Sequence, residues 1–177
     1  RIHLGAERDR LMAEVFRLPR LNVNSEVASD IVNIGIGAFS PLEGFMGPDD
    51  LRSTLFAKRL PSGVPWTIPI VLDISRQQAN QLGEAVGLWH DGRPLALLEG
   101  ARAYSYDRQE LAKQVFGTED PKHPGVANVL RLQEFLLGGN LQVFGDIKTP
   151  FAHYRLTPLE TRVLFEAKAW RTVVGFQ

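Results

Sequence analysis

The sequence predicts a mixed α/β, mainly β domain with peripheral helices, followed by the first helix and strand of a second, α/β domain. Three observations carry this expectation. The middle of the chain holds β-branched segments separated by turn signals, and amphipathic or capped helical segments flank them. The closing residues form a nearly continuous apolar run behind a capped helix, a pattern suited to a strand buried on both faces of a parallel sheet. At 177 residues the chain is long enough for one well-buried core, or for one domain plus the opening of another. The boundary is expected near Tyr154, giving a first domain over 1–154 and a truncated second one over 155–177.

Composition narrows the function classes. Apolar residues make up 44% and charged residues 23%, which is ordinary for a folded soluble domain. Lys plus Arg and Asp plus Glu balance at 20 each, so no net field draws a polyanion, and neither nucleic acid nor membrane is an expected partner. The absence of cysteine removes disulfides, thiolate metal sites and a thiol nucleophile together. No apolar run is long enough for a signal peptide or a membrane span, and a cytoplasmic location is expected. With no initiator Met and an apolar final stretch, both ends read as cuts through a longer chain. Neither repeats nor low-complexity tracts are visible.

Along the chain, Leu11, Met12, Val15 and Phe16 recur at helical spacing over residues 6–17, which predicts an amphipathic packing helix stopped before Pro19. Residues 25–35 read as a second helix that runs into a turn carrying Gly35, Gly37, Pro41 and Gly44. Pro48, Asp49 and Asp50 suit a helix start, because proline lacks a donor that goes unpaired there and acids favour the positive end of the dipole. That helix is expected to reach about Lys58. Strands follow at 67–74, 86–90 and 95–98, with Asp91-Gly92 as a hairpin turn. Asp107 caps a helix through Val115, residues 117–125 read as an irregular loop, and Gly138-Gly139 precedes a strand at 141–144. Thr157-Pro158-Leu159-Glu160 forms a capping box for a helix through Lys168, and 172–176 is the expected buried strand.

Four stretches together resemble the ATP sulfurylase (sulfate adenylyltransferase) family. Residues 37–46, Gly-Ala-Phe-Ser-Pro-Leu-Glu-Gly-Phe-Met, are similar to the family's GAFSPLxGFM block and are the most specific of the four. Arg59-Leu60, Gly63 and Trp66-Thr67-Ile68-Pro69-Ile70 match its next pattern. Phe116-Gly117-Thr118, Asp120 and His123-Pro124-Gly125-Val126 resemble its FGTxDxxHPGV loop, and Leu156-Thr157-Pro158 with Glu160-Thr161-Arg162 its LTPxETR helix start. Ala169 departs from the pattern, which has glycine before the tryptophan; a local change in the helix end is expected, since easy access to positive φ is lost.

The resemblance implies a PUA-like pseudo-barrel followed by the opening of a nucleotidyltransferase domain. The parent enzyme would transfer the adenylyl group of MgATP to sulfate, giving adenosine 5′-phosphosulfate and pyrophosphate. It also implies that Gln177 begins the motif that binds sulfate and ATP, with no catalytic residue inside the chain and Mg2+ entering only as MgATP in the parent. The fragment alone is expected to be inactive and to bind no cofactor. Its expected partners are the catalytic domain of the same chain and further copies in a homo-oligomer.

Read as residues alone, the other candidates favour structural roles. The 37–46 block lacks the Lys and Ser/Thr of a phosphate-cradling loop, so Phe39, Leu42 and Phe45 are expected to anchor a tight turn in the core, with contact to the second domain as the other reading. His123 lies near Asp120 and Lys122, yet no nucleophile is marked beside it. His3, His90 and His153 are scattered without ligand spacing, so no metal site is expected. Asp49-Asp50 and Glu119-Asp120 read as capping or solvated pairs. Arg162 suits an ion pair with Glu166 one turn on, or support of an anion. The rival function is a stand-alone PUA-like module binding RNA or another ligand, and a third reading is a purely structural half; the zero net charge and lack of a basic, aromatic-interleaved stripe speak against RNA.

Overall fold

Asp91 and Gly92 both take positive φ, 47° and 73°, and close a two-residue hairpin with His90 opposite Arg93. From that turn β4 (Ala85–His90) and β5 (Arg93–Ser105) set the register of the whole sheet. A computed structural model describes residues 2–147 and 152–175. Six strands run in the order β1 (Arg20–Asn22), β4, β5, β6 (Phe135–Val143), β2 (Gly44–Phe45), and β3 (Asp73–Ile74) also pairs with β6. Among the named strands of the described residues only β1 pairs in parallel, lying beside β4 with Leu21 opposite Leu88.

Strand alternation sends Ala96 and Leu98 to one face of β5 and Leu97 to the other, and both faces are covered. On the first face the main core gathers α2 (Ser25–Gly35) through Ile31 and Ile34, with Ile74, Val86, Leu88, Leu137 and Val143. On the second, α1 (Gly5–Val15) lays Leu11 and Val15 against Trp89, Leu97 and Phe144. A third cluster joins α3 (Pro48–Ala57) to α5 (Arg108–Phe116) through Leu51, Leu55, Leu111 and Leu136. Double coverage explains why β5 carries the unbroken buried run Leu95 to Leu98 rather than an alternating one.

The helices at 25–35 and from Pro48, the Asp107 cap and the Thr157 capping box are observed as expected. Other expectations are corrected. Only Asp73–Ile74 of the 67–74 stretch is strand, because Pro69 brings no donor and the backbone bonds are instead split, Met46 N–H to Ile70 O and Leu72 O from Leu137 N–H. Gly138-Gly139 does not precede a strand; it lies inside β6, where a side chain at Gly138 would stand 2.8 Å from Gly47 Cα and Met46 O. The 117–125 loop ends early, at α6 (Pro124–Arg131), and α4 (Arg76–Gln81) with its Ser75–Gln78 capping box was not foreseen. Phe16 is not on the buried face of α1: it is 64% exposed and meets the edge of Trp89 with ring centroids 5.0 Å apart.

Two further corrections concern the end of the chain. Residues 172–175 form no strand and are exposed, since among the described residues no neighbouring strand supplies the ladder that extended apolar backbone needs. Behind α7 (Pro158–Ala167), Ala169 keeps φ at 53°, so the expected change in the helix end does not occur. Trp170 N–H reaches Phe165 O at 3.1 Å and Ala169 N–H reaches Glu166 O at 2.9 Å, the two bonds of a Schellman cap normally built on glycine.

Candidate functional site

The 37–46 block occupies the mouth of a cleft of about 750 Å³ where α2 ends against β6. Gly37, at φ 81°, lets the chain reverse directly after α2. Phe45 is buried at 3% exposure and Phe39 and Leu42 pack partly buried against the same core, so the anchoring role read from the sequence holds. Gly44 lies where a side chain would collide with the Gly139 carbonyl, which is why β2 can approach β6 so closely. Phe39 also meets the ring of Trp66 edge-on at 6.5 Å, joining this block to the Trp66-Thr67-Ile68-Pro69-Ile70 motif.

Polar side chains line the cleft opposite the block. Gln142 accepts from His3 Nε2 at 2.8 Å and donates through Nε2 to a Glu99 carboxylate oxygen at 2.7 Å. Asn140 completes the polar wall, the block itself contributes Glu43, and Ile34, Ile36 and Leu42 supply apolar floor. Sequence reasoning missed Gln142 and Glu99, which lie 43 residues apart and meet only through the β5–β6 register.

A second cleft, of about 430 Å³, opens between α2, the 69–73 segment and α6, with Glu26, Asp30, Asp73 and Arg131 in its walls. Burial, and then the charge of Glu26, pushes the Asp30 carboxyl up to about 6. Asp30 is a second residue that sequence reading missed, because its burial depends on what packs against α2.

The candidates named from sequence fall in separate places. His123 caps α6, its Nδ1 accepting from Val126 N–H at 3.4 Å and its ring lying 4.9 Å from that of Phe116. Asp50 accepts from Gly47 N–H and Asp120 from Lys122 N–H, so one carboxylate of each pair serves local backbone. His90 binds Val23 O through Nδ1 at 3.0 Å, and the His153 ring lies tilted against that of Tyr154 with centroids 4.0 Å apart. Arg162 forms no ion pair with Glu166 among the described residues, a correction; on an exposed helix face such a pair gains only a few tenths of a kcal/mol. Gln177 lies outside the described residues, as does Phe176. Among the described residues no group of three or more His, Asp or Glu side chains stands ready to hold a metal ion, and no helix is long and apolar enough to cross a membrane.

With this geometry in hand, a family model described as a PUA-like domain matches residues 1–146. The chain belongs to the PUA-like family. It is 43% identical to the sulfate adenylyltransferase of Thermococcus onnurineus over 170 residues, which are 96% of this chain and 45% of that protein. The sulfate adenylyltransferases of Pyrococcus abyssi and Symbiobacterium thermophilum are 41% and 44% identical, over 100% and 98% of this chain and 46% and 45% of theirs. The chain thus spans about half the length of the curated relatives it matches. A solved structure, the hexameric APS kinase from Thiobacillus denitrificans, superposes with a TM-score of 0.72 at 24% identity, covering 95% of this chain and 30% of that one. That likeness is one of fold: a PUA-like, mixed α/β domain.

Proposed function

We propose that this chain is the N-terminal part of a sulfate adenylyltransferase, whose whole protein transfers the adenylyl group of MgATP to sulfate and releases pyrophosphate. The single observation that carries this is identity above 40% over nearly the whole chain to several enzymes of that name. The four sequence blocks agree with it, and the fold gives three of them a physical role: the 37–46 turn and the Trp66 loop pack together on the main core, and His123 caps the start of α6.

In this reading the chain contributes scaffold rather than chemistry. Adenylyl transfer between two anions depends on positioned donors and charge neutralisation, and neither cleft described above offers a cluster of cations. Gln177 is the residue assigned to substrate, its amide donating to an anionic oxygen. Mg2+ enters with ATP as part of the substrate. Residues 155–177 open the catalytic domain, a reading supported by the exposed Leu159, Val163, Trp170 and Val174, which lack the packing a finished domain gives such side chains. The whole protein is proposed to be a cytoplasmic homo-oligomer.

Pyrophosphate release from MgATP and sulfate, measured for this chain and for its full-length parent, tests the proposal. Activity in the parent alone is expected. Inactivity of both would remove the sulfurylase reading, and activity of the isolated chain would overturn the scaffold role.

A further inference from the structure

We propose that the first turn of α6 is an acid-sensitive latch, closed only while His123 Nδ1 carries no proton. Five helices among the described residues have a side-chain N-cap, and four of the caps are oxygen acceptors: Asn24 to Val27 N–H at 2.9 Å, Ser75 to Gln78 at 3.2 Å, Asp107 to Gln109 at 2.8 Å and Thr157 to Glu160 at 3.3 Å. The fifth is the imidazole of His123, which accepts from Val126 N–H. Because the amide can only donate, the ring proton of the closed state sits on Nε2. A second proton turns Nδ1 into a donor, removes the acceptor, and places positive charge on the positive end of the helix.

The consequence reaches beyond one bond. Val126, the residue whose N–H is capped, is fully buried, and Asn128, Val129 and Arg131 of the same helix form one wall of the 430 Å³ cleft. Phe116 holds the ring from the α5 side, and Gly125 leaves room for it: a side chain there would stand 2.5 Å from the Phe116 ring. The charged groups on the elements packed about the latch are Glu119, Asp120 and Lys122 on its own loop, Arg108, Glu110 and Lys113 on α5, and Glu26, Asp30, Asp73 and Arg131 around the cleft that α6 walls. Asp120 is already engaged with Lys122 N–H, and none of these groups forms an ion pair with His123 among the described residues.

Amide NMR of the chain from about pH 8 to about pH 5, the span over which histidine changes charge, tests the latch. The Val126 amide is expected to move together with the His123 ring protons and to lose about fivefold in exchange protection, the factor a typical side-chain cap is worth. The amides of Gln78, Gln109 and Glu160 serve as internal controls and should hold. His123→Asn keeps an acceptor that does not titrate in this span, so it should abolish the Val126 response, whereas Asp30→Asn should leave it intact. A Val126 amide that ignores the titration of His123, or one that responds equally in His123→Asn, overturns the proposal; loss of the response in Asp30→Asn reassigns it to the cleft carboxylate and overturns it too.

Discussion

Asp30 stands half-buried on α2 beside Glu26, and its carboxyl is pushed up to about 6, first by burial and then by that neighbouring charge. The sign of the linkage follows: the fold favours the protonated acid, so its contribution to stability is full below the ordinary carboxylate range and is lost as pH rises through about 6. Asp30→Asn should therefore match the wild type near pH 4 and exceed it near pH 7, by about 1 kcal/mol once solvent screening of a half-exposed group is allowed for; thermal unfolding at the two pH values reads this directly. Gly125 makes a second test at this scale. Its Cα faces the Phe116 ring, so Gly125→Ala must move that ring or the helix start and should cost about 1–3 kcal/mol in denaturant unfolding.

Helix α7 shows how an element end can be built with the wrong residue. Ala169 occupies the left-handed position of a Schellman cap whose two backbone bonds are intact, and Phe165 and Trp170 make the accompanying contact with ring centroids 5.9 Å apart. The alanine Cβ costs roughly 1–2 kcal/mol in that conformation, against the greater backbone entropy of glycine in the unfolded chain. Ala169→Gly is expected to stabilise α7 by about 1 kcal/mol, and Thr157→Ala, which removes the cap at the other end, to weaken it by about the same. Since no residue of α7 is buried, both effects should appear in the exchange protection of α7 amides and leave global unfolding nearly unchanged. Elsewhere the prolines and glycines redirect elements: Pro69 cuts a foreseen strand to two residues, and Gly138-Gly139 carry β6 past the Met46-Gly47 crossing.

At the scale of the whole molecule, one sheet covered on both faces holds the described structure together. Leu98 is fully buried in the main core, so Leu98→Ala should lower stability by about 2–5 kcal/mol, a large share of the ~5–15 kcal/mol typical of a domain. A chain of zero net charge is expected to give no salt-dependent gel shift with RNA. The sequence by itself determined the local devices: the Asp91-Gly92 hairpin, the Asp107 and Thr157 caps, the Pro48 helix start and the family blocks. Each is legible because its chemistry is complete within a few residues. That Phe39, Leu42 and Phe45 anchor the turn was legible from their apolar side chains, whereas the core that receives them is built from distant strands and helices. Only the tertiary structure decided that Gln142 links His3 to Glu99, that burial raises the Asp30 carboxyl, that Gly138-Gly139 belong inside a strand, and that residues 172–175 stay unpaired. Burial, strand register and close backbone approach are set by partners tens of residues away, and no spacing within one segment encodes them.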